Sequence, residues 1–354
     1  MSELTINELP PQIDCETVAI LKALNKASRV LGELKGEVSK IPNSKILIDT
    51  LALQEAKDSN EIENIVTTDD ELYQASIDDS IASTAAKEAL NYAHALQVGI
   101  NKLNNNDLLT VNNIIEIQAI IAPNQPIRKL PGTVLKNQQS GEVIFTPPQH
   151  PDDIVRLLSN LETYINDSEF HAIDPLIKMP IIHFQFESIH PFYDGNGRTG
   201  RLLNMLYLVQ QKLLNIPVLY LSSFIIRNKS DYYRLLQEVR TKNSWEEWIV
   251  WMLNGVEITA KETIVVVNKV KLLMDNYKMR IRENFSFYSH DLINCLFMHP
   301  YTKNDFLEKK LNIHRHTAAS YLKQLNEAGF LNKLKIGRSN YYINVELLNI
   351  LKNR

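Results

Sequence analysis

The sequence predicts a mainly α-helical protein of more than one domain, on three observations. Apolar residues recur at three- and four-residue spacing through most of the 354 residues. Runs of β-prone residues are confined to two short stretches. Most glycines and prolines fall between the periodic segments, where helix breakers belong. The length exceeds what one ordinary core accommodates.

Taken in order, VAILKALNKASRVLGELKGEVSKI and KILIDTLALQEAKDSNEIENI carry one apolar stripe each and read as the first two helices. ALNYAHALQVGINKL, VNNIIEIQAIIA, PDDIVRLLSNLETYI, DPLIKMPIIHFQFESI and RTGRLLNMLYLVQQKLL continue the pattern. A further helical run follows, from Ser230 to Met279. The exception is PGTVLKNQQSGEVIFTPPQ, residues 131–149. Its β-prone segments Thr133–Lys136 and Glu142–Thr146 flank a polar stretch ending at Ser140-Gly141, and Pro147-Pro148 closes it. This reads as a β-hairpin, either a functional element or a surface connection.

Near Arg282 the chain changes character. DLINCLFMHP, TKNDFLEKKLN and HRHTAASYLKQLNEAGF read as three short helices, and LNKLKIGRSNYYIN as a strand pair turning at Gly337-Arg338-Ser339. Three helices and a β-wing make a winged-helix arrangement. Its third helix is expected to expose His314, Arg315, His316, Ser320 and Lys323, and its wing Lys333, Lys335 and Arg338. Such a unit binds DNA or docks a protein. From Asp291 onward ten lysines and arginines face five acids, a net of +5 that leaves −8 for the rest of the chain. The expected division is 1–90, 91–280 and 281–354.

Composition narrows the setting. With 44% hydrophobic and 22% charged residues the chain reads as soluble and globular. Cys15 and Cys295 suggest neither a disulfide framework nor a cysteine zinc site. No stretch approaches eighteen uninterrupted apolar residues, and the first residues lack a signal-peptide pattern, so a cytoplasmic location is expected.

HPFYDGNGRTGR, residues 190–201, concentrates the chemistry. Gly195-Asn196-Gly197 permits the positive φ of a backbone anion nest. The helix that follows adds its N-terminal dipole. Arg198 and Arg201, three apart, are neighbours on that helix and suit phosphate oxygens. Asp194 is a hard carboxylate able to hold Mg²⁺ there. His190 can take a proton from an incoming hydroxyl. Base, metal ligand, nest and clamp together describe a phosphoryl- or nucleotidyl-transfer site.

The string resembles the signature of the Fic family, HxFx(D/E)GNGRxxR, with every fixed position filled. The flanking segments, the N-terminal helices and the C-terminal winged helix also resemble longer bacterial members. The resemblance implies a Fic helical bundle with a β-hairpin flap, and transfer of AMP from ATP to a Ser, Thr or Tyr hydroxyl of a target protein, which can be the protein itself. It implies His190 as general base, Phe192 as apolar anchor and Asp194 as the Mg²⁺ ligand. ATP would meet Gly195, Asn196, Gly197, Arg198, Thr199, Gly200 and Arg201, with Tyr232 in the adenine pocket. The 131–149 hairpin would be the flap that aligns the target by strand pairing.

Self-inhibited members of the family carry (S/T)xxxE(G/N) on a helix beside the site, and Ser59-Asn60-Glu61-Ile62-Glu63-Asn64 fits. The resemblance implies Glu63 paired with Arg201 as a brake. Alone, the same residues also read as a helix start capped by Asn60. Removal of AMP or transfer of another phosphate group at this site, a DNA-binding regulator and a homodimer are the alternatives that the residues leave open.

Overall fold

Residues 6–352, apart from 42, 44, 78–81, 137–140 and 337–338, are described by the computed structural model. The N-terminal third comprises α1 (Val18–Val38), α2 (Lys45–Ile62), α3 (Asp69–Ala75), α4 (Thr84–Asn106) and α5 (Val111–Ile121). The hairpin follows, β1 (Leu135–Lys136) with β2 (Val143–Phe145), and then α6 (Pro151–Asn166), α7 (Pro175–Ile189) and α8 (Asn196–Gln210). Next come α9 (Leu221–Arg227), α10 (Lys229–Lys242) and α11 (Trp245–Asn284). The chain ends with α12 (His290–Met298), β3 (Tyr301–Thr302), α13 (Asn304–Leu311), α14 (Arg315–Glu327), β4 (Asn332–Ile336), β5 (Ser339–Ile343) and α15 (Val345–Lys352). The mainly helical fold class is as expected.

What positions the site is the pair α7 and α8. α7 buries every residue from Leu176 to Ile189, so it has no solvent face and sits at the centre of the bundle. It starts on Asp174, whose side chain accepts the Leu176 N–H at 2.8 Å, with Pro175 in the first turn. Pro180 lies within it, and the Pro180 carbonyl accepts the indole N–H of Trp248 on α11 at 2.9 Å. α8 packs against α7 so closely that a Cβ at Gly200 would stand 2.6 Å from Glu187 Oε1. The loop joining these two core helices is residues 190–195. α1 is of the ordinary amphipathic kind: Thr17 caps it, and its stripe of Ile20, Ala27, Val30, Leu31 and Leu34 packs along α11.

The hairpin is real but shorter than expected. Leu135 pairs with Phe145 and Lys136 with Val143, with a bulge between the two pairs. Ser140 lies outside the described residues. At the C-terminus the three helices precede β4 and β5, as anticipated, and β3 adds a third strand in the order β3-β5-β4. His314, Arg315, His316, Ser320, Lys323, Lys333 and Lys335 are exposed. Gly337 and Arg338 of the expected turn lie outside the described residues.

Several elements differ from expectation. The limits at 90/91 and 280/281 fall inside α4 and α11, so continuous helices rather than linkers cross both positions. α8 stops at Gln210, before the expected Leu214, where Lys212 takes φ 56°. α3, α9, β3 and α15 went unpredicted. α3 carried a legible signal, a capping box in which Thr68 and Glu71 bond reciprocally. α9 carried none: Tyr220 makes no side-chain cap and the helix is held by burial. Cys15 and Cys295 are free and buried. No helix among the described residues is long and apolar enough to cross a membrane.

Candidate active site

The site is a helix–loop–helix junction with each backbone turn fastened. α7 ends on His190, which adopts the left-handed conformation (φ 47°, ψ 58°) with its N–H bonded to Phe186 O at 3.0 Å. Phe192 is fully buried and bridges to Ile127. The Asn196 side chain spans the loop: Oδ1 accepts the Phe192 N–H at 2.9 Å, and Nδ2 donates to the Phe192 carbonyl at 2.8 Å. Gly195, at φ 81°, then turns the chain into α8. The helical ladder opens with Thr199 N–H to Gly195 O at 2.9 Å. The N–H groups of Asn196, Gly197 and Arg198 therefore have no helical acceptor and form the donor face of an anion site.

Three charged side chains meet this face. Arg198 is buried and bidirectionally held: Nη1 donates to Glu88 Oε2 at 2.6 Å, and Nη2 lies 3.3 Å from Asp194 Oδ2. Arg201 is buried one turn on. Among the described residues its hydrogen bonds all go to the end of α2: Nε to Ser59 Oγ at 2.9 Å, Nη2 to the Ser59 carbonyl at 2.9 Å, and Nη2 to Glu63 Oε1 at 2.8 Å. The Glu63 carboxylate also lies against the nest, since a Cβ at Gly197 would collide with it. An anion of the chain itself thus occupies the place where backbone donors and Arg201 converge. The expected helix start at Asn60 is corrected here: Ser59 and Asn60 belong to the last turn of α2, which ends at Ile62, with Asn64 left-handed at φ 63°.

The environment sets the protonation states. Burial and the nearby Arg128 guanidinium lower the His190 imidazole to about 4, against a smaller opposing pull from Glu63, so it is neutral at pH 7. Its Nδ1 is buried and makes no hydrogen bond of ordinary geometry among the described residues, although the Glu187 backbone acts on the ring. Burial acts against ionisation of Glu63, but Arg201, Arg198 and His190 outweigh it and hold the carboxyl below its usual value. Glu187, buried near Arg201, is pushed up to about 7 by that burial.

A divalent cation fits on one condition. No group of three potential metal ligands exists among the described residues. Asp194, in contact with Arg198, is the carboxylate at the nest that opens to solvent, its side chain 61% exposed. One carboxylate completed by substrate phosphates and water is the usual binding mode of Mg²⁺, so Asp194 suits that ion and not a site made by protein alone.

Of the other anticipated ATP contacts, Thr199 and Gly200 take a different position. Thr199 is buried with its N–H engaged in the helix, and Gly200 is the close-approach point to α7. Tyr232 is also buried, its hydroxyl 2.8 Å from His183 Nε2 and its ring among Trp248 and Trp251. The neighbouring Tyr233 is 44% exposed. Three residues went unnoticed in the sequence. Arg128 donates to the carbonyls of His190 (2.7 Å), Ile189 (3.2 Å) and Pro148 (2.9 Å), tying the turn at His190 to the base of the hairpin. Gln118 holds the Asp194 carbonyl at 2.9 Å, and Glu88 orients Arg198. None of them belongs to a local pattern that would have singled it out.

Comparison with known proteins places three domains on the chain. The Fic/DOC family N-terminal domain matches residues 21–101, the Fic/DOC family domain residues 108–208, and the C-terminal domain of SoFic-like protein adenylyltransferases residues 273–347. A protein adenylyltransferase Fic of Aedes aegypti is 31% identical over 129 residues, 36% of this chain and 24% of that protein. A probable protein adenylyltransferase of Aquifex aeolicus is 36% identical over 94 residues, 27% of this chain and 26% of that protein. The match thus spans about a quarter of these relatives' length. A crystal structure of a Fic family protein from Desulfovibrio desulfuricans shares the fold over 95% of this chain and 98% of that one, with TM-score 0.59 and 19% identity. A Caenorhabditis elegans Fic-1 structure covers 70% of this chain and 73% of that one, with TM-score 0.53 and 20% identity.

Proposed function

The chain carries the domains of the Fic/DOC family, and from that premise we propose that it is a protein adenylyltransferase held back by the end of its own helix α2. The observation that carries this reading is the Glu63 carboxylate set on both Arg201 and the glycine nest. A pocket that binds its own carboxylate with buried guanidinium and backbone donors has the groups that a polyphosphate needs.

In the proposed reaction a Ser, Thr or Tyr hydroxyl of the target attacks the α-phosphorus of ATP. The new O–P bond forms as the bond to the β-phosphate oxygen breaks, and pyrophosphate leaves. His190, neutral at pH 7, takes the hydroxyl proton. The N–H groups of Asn196, Gly197 and Arg198 and the start of α8 receive the charge that grows on the α-phosphate. Arg198 and Arg201 hold the outer phosphates. Mg²⁺, held by Asp194, would offset phosphate charge. Tyr233, exposed beside the buried Tyr232, is the better placed of the two to meet adenine. The hairpin would align the target segment by adding it as a strand.

Glu63 is the brake because it and the γ-phosphate claim the same arm of Arg201. A displacement of about 1 Å costs on the order of 100-fold in rate, so ATP that binds without that arm transfers poorly. The winged-helix reading of the C-terminal domain goes with protein docking, because a net charge of +5 is modest for a DNA reader.

The test uses wild type, Glu63→Gly and His190→Ala with Mg²⁺ and ATP labelled at the α or γ position. Label on protein from the α position alone, strongest in Glu63→Gly and absent in His190→Ala, is the expected result. Label from the γ position alone would overturn the reaction. Equal labelling of wild type and Glu63→Gly would overturn the brake.

A further inference from the structure

Another guanidinium, that of Arg240, is partly withdrawn from solvent against the hairpin. Arg240 of α10 donates through Nε to Ser188 Oγ at 3.2 Å and weakly through Nη1 to Gln237 Oε1 at 3.5 Å. Its guanidinium carbon lies 4.1 Å from the centre of the Phe145 ring, which belongs to β2, and 5.6 Å from that of Phe184. No ion pair holds it among the described residues. Glu187 affects it from beyond ion-pair distance, and burial lowers it to about 10. Charged groups removed from water are ordinarily paired, and Arg201, in this same molecule, is.

Arg240 faces a cavity of about 560 Å³ whose walls include Phe145, Phe184, Ser188 and Trp245. The segment Ile6–Gln12 forms its remaining side. That segment is strapped in place: Asn160 bonds both the N–H and the carbonyl of Leu9, at 2.7 and 3.0 Å, and Gln185 donates to the Asn7 carbonyl at 2.8 Å. Glu8, at the wall, is held by Arg156 instead, and Lys242 at the rim pairs with Glu238 at 3.0 Å. With phenyl rings against its face, the guanidinium lines the cavity, and no acid engages its Nη edge among the described residues. That edge matches two carboxylate oxygens.

We propose that this cavity is a binding site for a carboxylate, received by Arg240 beneath the hairpin. The carboxylate belongs either to a free small molecule or to an aspartate or glutamate side chain of a polypeptide lying along the hairpin. Because Phe145 packs on the same guanidinium, occupation of the site also steadies β2. The site rests on Arg240 and its cavity, independently of the adenylyl-transfer reading.

The test is calorimetric titration of the full chain with glutarate, with N-acetyl-aspartate N-methylamide and with the neutral asparagine counterpart. Saturable binding of at least one acid is expected, at least about tenfold tighter than the asparagine compound, as befits a charge-assisted pair. Glutarate as the tighter ligand identifies a free carboxylate, and the aspartate compound identifies a polypeptide side chain. Arg240→Gln should abolish binding. Thr241→Trp, which narrows the cavity without touching the guanidinium, should weaken it at least about tenfold, so the test survives if Arg240→Gln fails to fold. Equal binding of the asparagine compound, or no saturable heat with either acid, overturns the site.

Discussion

The start of α8 and the end of α2 meet at one guanidinium but are built to opposite designs. The start of α8 is locked into the core: Phe192 is buried, Asn196 staples the turn, and Gly200 lets α7 approach. Little of it moves without unpacking two central helices. The end of α2 is packed as far as Ile62, with Ser59 and Asn60 buried, but its acidic tip Glu63 is 35% exposed and is held by its contact with Arg201. The nest is thus part of the fold, and the proposed brake is a carboxylate tip attached to it through Arg201. The difference teaches what the proposed brake requires: withdrawal of the Glu63 tip, with the nest left intact.

Substitutions on either side test that asymmetry. The largest effect belongs to the locked side. His190→Ala should lower AMP transfer by about 100- to 10,000-fold while leaving the folded state intact, measured by α-label incorporation and circular dichroism. Next comes the attached side, where Glu63→Gly should raise transfer about 100-fold, and a thermal scan should show at most a modest loss of stability. If instead Glu63→Gly unfolds the protein, the contact is structural and the asymmetry fails. Ser59→Ala removes one of the bonds to Arg201 and leaves Glu63 in place, so activation of only several-fold is expected, about 1 kcal/mol.

Proton titration separates the two sides further. His190 is depressed to about 4, so its base form is complete above that pH and is lost as pH falls through it. Transfer by Glu63→Gly should therefore hold to well below pH 6.5 before declining. Glu63 is also depressed, so the stability its ionised contact provides is present above the usual glutamate value and disappears only in acid. The ratio of Glu63→Gly to wild-type activity should stay level from about pH 5 to 8, whereas a ratio that collapses near pH 6.5 would place a histidine in the brake. The smallest effect is on packing. Gly200→Ala introduces a Cβ that meets Glu187 and Phe186 and should cost about 1–3 kcal/mol in denaturant unfolding. A silent Gly200→Ala would mean that α7 and α8 are less tightly joined than their geometry indicates.

Much of this was legible along the chain, for reasons that differ by element. The helices at Val18–Val38 and Pro151–Asn166 announce themselves because amphipathic periodicity is a local property. Residues 190–201 do so because base, nest and arginines are consecutive, and a turn between two helices needs no distant partner to bring them together. The tertiary structure alone decided what lies across the gaps. Ser59 and Glu63 are more than a hundred residues from Arg201, and their meeting depends on α2 packing beside α8. Arg128, Glu88 and Gln118 reach the site from separate elements and obey no spacing. Tyr232 shows the same limit from the other side: two adjacent tyrosines look alike in sequence, and only the packing of α10 on α11 buries one and exposes the other. Short-range chemistry was determined by residue order. Which groups are desolvated, paired or left facing a cavity was determined by how the helices close on one another, because burial and pairing are properties of the whole packed chain.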